Sequence, residues 1–224
     1  MPALICFDLD DTLLDHSGAE KAAALHFAGV LGKRTAVSGE AFVKVWRAAA
    51  ERHMESFLRG EVTFQEQRRR RVREFVASPN DLEVDALFEV YLGAYRNNWR
   101  AFGDVAGCLN ALGAHQLGVV SNGSQAQQLE KVQVLGIAEH FAFVLTAEDA
   151  GCAKPDPAIF RAAQGHRPAQ DCLYIGDNLR VDAEAATRAG WRGVWLDRSG
   201  AGTPTALPTL TSLRALPPLL GSLR

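Results

Sequence analysis

The stretch Leu4–Asp15, LICFDLDDTLLD, runs from a short apolar segment straight into acids. Leu4, Ile5, Cys6 and Phe7 show no alternation of apolar with polar residues, the pattern of a short strand buried on both faces. Asp8, Asp10 and Asp11 follow at its carboxyl end. Residues two apart in a strand share a side, so extended geometry through Asp10 turns Asp8 and Asp10 toward one point. Converging carboxylates repel each other, and a bound cation or a shared proton relieves them. The competing reading makes Asp10 or Asp11 a cap on the following helix. This stretch alone does not choose between the two.

The rest of the chain sets the context. From about Ser17 to Arg100 it is rich in Ala, Glu, Arg and Leu with a single proline, Pro79. Helices are predicted over Gly18–Leu31, Ser38–Leu58, Thr63–Val76 and Asp81–Trp99, with Thr63 and Glu66 as a capping box and Asp81 capping the last. So long an insertion between two strands exceeds an ordinary connection and reads as a second, smaller domain, residues 16–100. Its dense basic run, Arg68–Arg71 with Arg73, points all the way round a helix and reads as a solvated surface partly paired with Glu66 and Glu74. His26, His53, Trp46 and Trp99 read as packing or surface residues.

From Ala101 the pattern alternates. Helices are predicted over Val105–Ala114, Gln125–Leu135 (closed by Gly136), Ala158–Gln164 (opened by Pro155) and Val181–Ala189 (stopped by Gly190). Apolar strands are predicted at Leu117–Val120, Phe141–Leu145, Leu173–Ile175 and Gly193–Leu196. From Ser199 the tail reads as an irregular stretch with a short closing helix. Helices alternating with fully apolar strands indicate an α/β fold, a parallel sheet covered on both faces, whose ligands sit at the carboxyl ends of the strands. The polar clusters fall at those ends: Asp8 with Asp10, Ser121 with Asn122, and Asp177 with Asp182.

Composition excludes little else. The chain is 47% hydrophobic and 22% charged with a formal charge of -2, which gives no reason to expect a nucleic-acid or membrane partner. No apolar run approaches the ~20 residues of a bilayer span, and the amino-terminal MPALICFDLDD lacks a basic segment followed by a long apolar one, so a cytoplasmic location is expected. Cys6, Cys108, Cys152 and Cys172 form no CxxC pair, and reduced thiols are expected.

Taken together, these segments resemble the haloacid dehalogenase superfamily. FDLDDTLLD is similar to its first motif, VVSNGS to its second, the lysine of AKPDP to its third and IGDNLRVD to its fourth. They occur in the family's order from Ile5 to about Leu196, with the helical insertion where that superfamily carries a helical cap. The resemblance implies a Rossmann-like parallel-sheet core, residues 1–15 and 101–224, and an all-helical cap, residues 16–100. It also implies Asp8 as the nucleophile that forms an aspartyl-phosphate, Asp10 as general acid and then base, and Lys154 as the charge beside them. Ser121 and Asn122 are the implied phosphate-binding positions. Mg2+ is the implied cofactor, held by Asp8, the backbone carbonyl of Asp10, and Asp177. Asp182, whose five-residue spacing from Asp177 reads as too far round for an equivalent ligand, takes an outer role, holding a metal-bound water or Lys154. Asp11 stands where the family often has glycine.

The family's dehalogenases lack an aspartate at the position of Asp10, so the implied activity is that of a phosphatase on small phosphomonoesters, nucleotidase-like or sugar-phosphatase-like. A phosphomutase and an inactive binding protein are the alternatives. His16, Ser17, Trp46 and Arg52 are the cap residues expected to reach toward a substrate.

Overall fold

A computed structural model describes residues 2–77 and 80–222. Pro79 lies outside the described residues. The chain's internal contacts divide it into two compact units, Met1–Asp15 with Arg100–Arg224, and His16–Trp99.

Strand β1 (Leu4–Phe7) opens the first unit. The second unit then follows as four helices, α1 (His16–Leu31), α2 (Gly39–Leu58), α3 (Phe64–Arg73) and α4 (Asp81–Asn97). The expected capping box at Thr63 is half made: the Thr63 side chain accepts from the Glu66 N–H, while the Glu66 carboxylate pairs with Arg70 and Arg73. Asn80, not Asp81, caps α4, its side chain accepting from the Glu83 N–H.

The helices close over an aromatic core in which Trp46 lies 4.7 Å from Tyr91 and 5.0 Å from Phe27 between ring centroids. Trp46 is fully buried there, so the expectation that it reaches outward to a substrate is corrected. The arginine run is also less solvated than expected. Arg69 pairs with Asp81 and Asp85, and Arg71 is buried against Glu20. Glu74 takes Arg52 and His53 in place of the run.

Returning to the first unit, the chain forms α5 (Val105–Ala111), β2 (Gln116–Ser121), α6 (Gln125–Val134), β3 (Phe143–Thr146) and the single turn α7 (Ala147–Ala150). Next come α8 (Pro157–Gln164), β4 (Cys172–Gly176), a π-helical turn (Leu179–Ala183) and α9 (Glu184–Arg188). It ends with β5 (Arg192–Leu196), β6 (Thr209–Leu210) and α10 (Leu216–Ser222). Pro157, not Pro155, opens α8, because Asp156 caps the helix by accepting from the Ala158 N–H.

The six strands pair in the order β3-β2-β1-β4-β5-β6, all parallel. Leu4 stands opposite Gln116 on one side and Cys172 on the other, so β1 is an inner strand. Its residues divide by parity. Ile5 and Phe7 pack with Val105, Leu109 and Val132, while Leu4 and Cys6 pack with Ile159, Phe160 and Trp191. Apolar layers on both faces explain why LICF shows no alternation. No helix among the described residues is long and apolar enough to cross a membrane.

Candidate active site

The Asp8 N–H donates to the Ile175 carbonyl at 2.8 Å, extending the ladder one residue beyond β1 and setting Asp8 at the sheet's carboxyl edge. The extended geometry then stops. The Leu13 and Leu14 N–H groups both donate to the Leu9 carbonyl, and Asp11 takes φ 57°. Asp tolerates this left-handed conformation better than most residues, and glycine adopts it freely, which accounts for the glycine seen at this position in the resemblance. Beyond this turn the two side chains meet different lysines, Asp8 pairing with Lys154 and Asp10 with Lys131.

Asp8 belongs to a buried constellation built on Lys154. The Lys154 ammonium has three protons and three partners: Asp8 Oδ1 at 2.6 Å, Asp182 Oδ1 at 2.7 Å and the Tyr174 hydroxyl at 2.8 Å. The Tyr174 hydroxyl in turn donates to the Val120 carbonyl at 2.7 Å. The Lys154 backbone is clamped by Asn122, whose Oδ1 accepts from the Lys154 N–H and whose Nδ2 donates to the Lys154 carbonyl, both at 2.8 Å. The expectation at Asn122 concerns backbone N–H groups near it; its side chain is committed to the lysine loop.

Asp177 follows β4, its N–H donating to Thr12 Oγ1 at 3.0 Å and its carbonyl accepting from Trp195 Nε1 at 2.8 Å. Asp182 comes closer than its spacing suggested. The π-helical turn swings it back so that carboxylate oxygens of Asp8, Asp177 and Asp182 lie within 4.8 Å of one another. Two glycines permit this. A Cβ on Gly193 would stand 2.0 Å from the Ala183 carbonyl oxygen, and one on Gly176 2.4 Å from the Asp182 carboxylate. Asp182 Oδ2 accepts from the Asn178 N–H at 3.0 Å, so both its oxygens are engaged.

One ammonium among three acids leaves surplus negative charge. Burial pushes the Asp8 carboxyl well above its usual range; Lys154 opposes the shift, while Asp182, Asp177 and Asp10 add to it. Asp177 is pushed up to about 7, chiefly by burial and then by Asp182 and Asp11. Burial works against the charge on Lys154, but Asp182 and Asp8 outweigh it and hold the ammonium above its usual range.

Asp10 faces α6. Lys131 Nζ donates to both Asp10 oxygens at 2.7 and 2.8 Å, and Gln128 Nε2 donates to Oδ2 at 3.0 Å. The same Gln128 nitrogen reaches Ser121 Oγ at 2.7 Å. Sequence reasoning missed Lys131, Gln128 and Tyr174. For Tyr174 the available signal was a tyrosine inside an apolar strand; the helix sequence carried none for Gln128 and Lys131, whose burial shows only in the fold.

Comparison with known proteins agrees with this fold. Over 85 residues the chain is 40% identical to the phosphoserine phosphatase of Thermus thermophilus, a match covering 37% of this chain and 34% of that protein's length. It is 30% identical to the glyceraldehyde 3-phosphate phosphatase of Methanopyrus kandleri over 83% of this chain and 80% of that one. In three dimensions it is similar to the magnesium-bound HAD-hydrolase YfnB of Bacillus subtilis, with a TM-score of 0.80, 21% identity, and 98% and 99% of the two chains covered. The family model for haloacid dehalogenase-like hydrolases matches residues 2–190, and the chain belongs to that family of hydrolases.

Proposed function

We infer that the protein is a Mg2+-dependent phosphatase that hydrolyses small phosphomonoesters, a nucleoside monophosphate or a sugar phosphate, through an aspartyl-phosphate on Asp8. The observation that carries this reading is the separation of two acids by environment. Asp8 is buried against Lys154, and Asp10, two residues on, is held by a different lysine. A nucleophile and a proton carrier act at different atoms, and separate lysines hold these two carboxyls apart. Relatives named as phosphatases of phosphoserine and glyceraldehyde 3-phosphate support the class of small organic phosphates.

An Asp8 oxygen attacks phosphorus as the bond to the leaving oxygen breaks, and Asp10, which enters this step protonated, gives that oxygen its proton and is left as the carboxylate that Lys131 holds. Asp10 then takes a proton from the water that attacks phosphorus, and inorganic phosphate leaves as Asp8 is freed. Ser121 donates its hydroxyl proton to a phosphoryl oxygen, its Oγ already accepting from Gln128. Lys154 keeps a fixed positive charge beside Asp8 as charge moves through the transition state.

The surplus of carboxylates over ammonium at Asp8, Asp177 and Asp182 fits a hard cation with oxygen ligands. Asp8, Asp177 and the carbonyl of Asp10 would hold Mg2+, and Asp182 would serve Lys154. The ion would neutralise phosphoryl oxygens as they approach these acids. His16–Trp99 takes the part of the cap in this reading. Phosphate release from a panel of nucleotides and sugar phosphates, with Mg2+ and with chelator, tests it. Turnover of at least one compound is expected only with Mg2+, falling by more than about a thousandfold in Asp8→Asn. Unchanged turnover in Asp8→Asn would remove Asp8 as the nucleophile.

A further inference from the structure

Gln128 and Lys131 are three apart on α6, on one face of the helix. Both are buried, Gln128 completely, with the Lys131 side chain 3% exposed. A buried lysine is unfavourable unless its charge is answered, and here both Asp10 oxygens answer it. The Gln128 amide spends its nitrogen on two groups, Asp10 Oδ2 and Ser121 Oγ. Its oxygen is buried without a hydrogen-bond partner, an arrangement that costs stability. Gly123 leaves it room, since a Cβ there would stand 2.2 Å from Gln128 Nε2. A glutamine held against a stability penalty, in a path only glycine permits, bridges the proton carrier to the phosphate-binding hydroxyl.

We propose that Gln128 and Lys131 are positioning residues that fix the Asp10 carboxyl relative to Ser121, so that proton transfer is aimed at the leaving oxygen of a phosphoryl group held by Ser121. The proposal rests on the phosphatase reading and adds to it the device that sets Asp10. Neither residue touches the phosphate in this scheme. Both Asp10 oxygens accept here, so the arrangement is that of the carboxylate left after the proton has gone, and Lys131 answers the charge that develops on Asp10 as it leaves. The size of the effect therefore depends on how much the leaving group needs a proton. An alkoxide leaves poorly without one, whereas p-nitrophenolate leaves readily.

The test compares kcat/KM for the fastest alkyl phosphate of the panel with kcat/KM for p-nitrophenyl phosphate, using the full chain with Mg2+. Lys131→Met and Gln128→Leu are each expected to lower the alkyl value by about 10- to 100-fold and the p-nitrophenyl value by less than about threefold. Lys131→Arg should recover most of the alkyl loss. In an Asp10→Asn background, Lys131→Met should add less than about a twofold further loss, because both changes remove one function. An equal loss on both substrates, or an undiminished effect of Lys131→Met without Asp10, would overturn the proposal and leave the phosphatase reading intact. Wild-type protein that releases phosphate from neither substrate would overturn both. Should Lys131→Met fail to fold, Gln128→Leu carries the same comparison.

Discussion

Each unit of this protein builds an ionic cluster around a buried group, and the two have opposite proportions. In the helical unit one carboxylate, Glu20, accepts from two guanidiniums, Arg47 at 2.8 Å and Arg71 at 3.0 Å. Arg71 also lies over the Trp46 ring at 4.1 Å and donates to the Tyr91 hydroxyl. Burial raises the Glu20 carboxyl, but Arg71, His16 and Arg47 outweigh it and hold it below its usual range. In the α/β unit one ammonium, Lys154, serves two carboxylates with a third close by, and Asp8 and Asp177 are both pushed up. The first cluster has enough cations of its own. The second is completed only by a proton or by a cation from outside. Such a deficit, more than a buried ion pair as such, supports the proposed site.

Three experiments press on this contrast. Lys154→Met removes the only ammonium from the acid-rich cluster, and phosphate release from the best substrate should fall by about a hundred- to a thousandfold or more. Activity within a few-fold of wild type would mean that the surplus charge has no part in the reaction. Glu20→Leu strands a buried Arg71 and should lower the unfolding free energy by about 3–5 kcal/mol, seen in urea titration. A loss below about 1 kcal/mol would show that the helical cluster is no better satisfied than its counterpart.

The smallest effect is the slope of stability against pH. Asp177 has its folded pKa raised to about 7, so its contribution is complete below its unfolded value and is lost as pH rises toward 7. In chelator the melting temperature should therefore drop by a few degrees between pH 5 and 8, with about 1.4 kcal/mol at stake per pKa unit. Asp8, also raised by burial, slopes the same way, so Asp177→Asn should lessen that drop and added Mg2+ should flatten it. Glu20, with its folded pKa lowered, slopes the other way: its contribution is present above its unfolded pKa and is lost as pH falls through the folded one. A melting temperature that rises from pH 5 to 8 in chelator would reverse the assignment.

Much of this was legible in the chain. LICF reads as a buried inner strand because its two faces are covered by different helices, and Asp8, Ser121 and Asp177 stand out because they end strands. What stayed hidden depended on geometry that spacing does not carry. Five residues from Asp177 to Asp182 look too many for an equivalent ligand until a π-helical turn, packed where Gly193 has no side chain, brings the second carboxylate round. Lys131 and Gln128 look like the polar side of a surface helix, since the letters of QAQQLEKVQV do not reveal which face is buried. Trp46 reads first as a packing residue and is one, and the surrounding rings remove it from the candidates to meet a substrate. Strand β6, two residues long, is too short for any pattern.

The placement of β1 has a consequence for how the protein is made. It leaves the ribosome before the other five described strands and is an inner one in the sheet, yet Gln116 and Cys172, its partners, are synthesised long after it. The helices between His16 and Trp99 appear in the meantime, and with mostly local contacts they can close before any sheet exists. The Asp15 N–H bonded to the Arg100 carbonyl at 2.9 Å, with the Phe102 N–H on the Leu13 carbonyl at 3.0 Å, then holds the two ends of that excursion side by side. Until β2 and β4 arrive, the nascent chain carries LICF as an unpaired sticky segment, and it is at this stage that a chaperone would matter most.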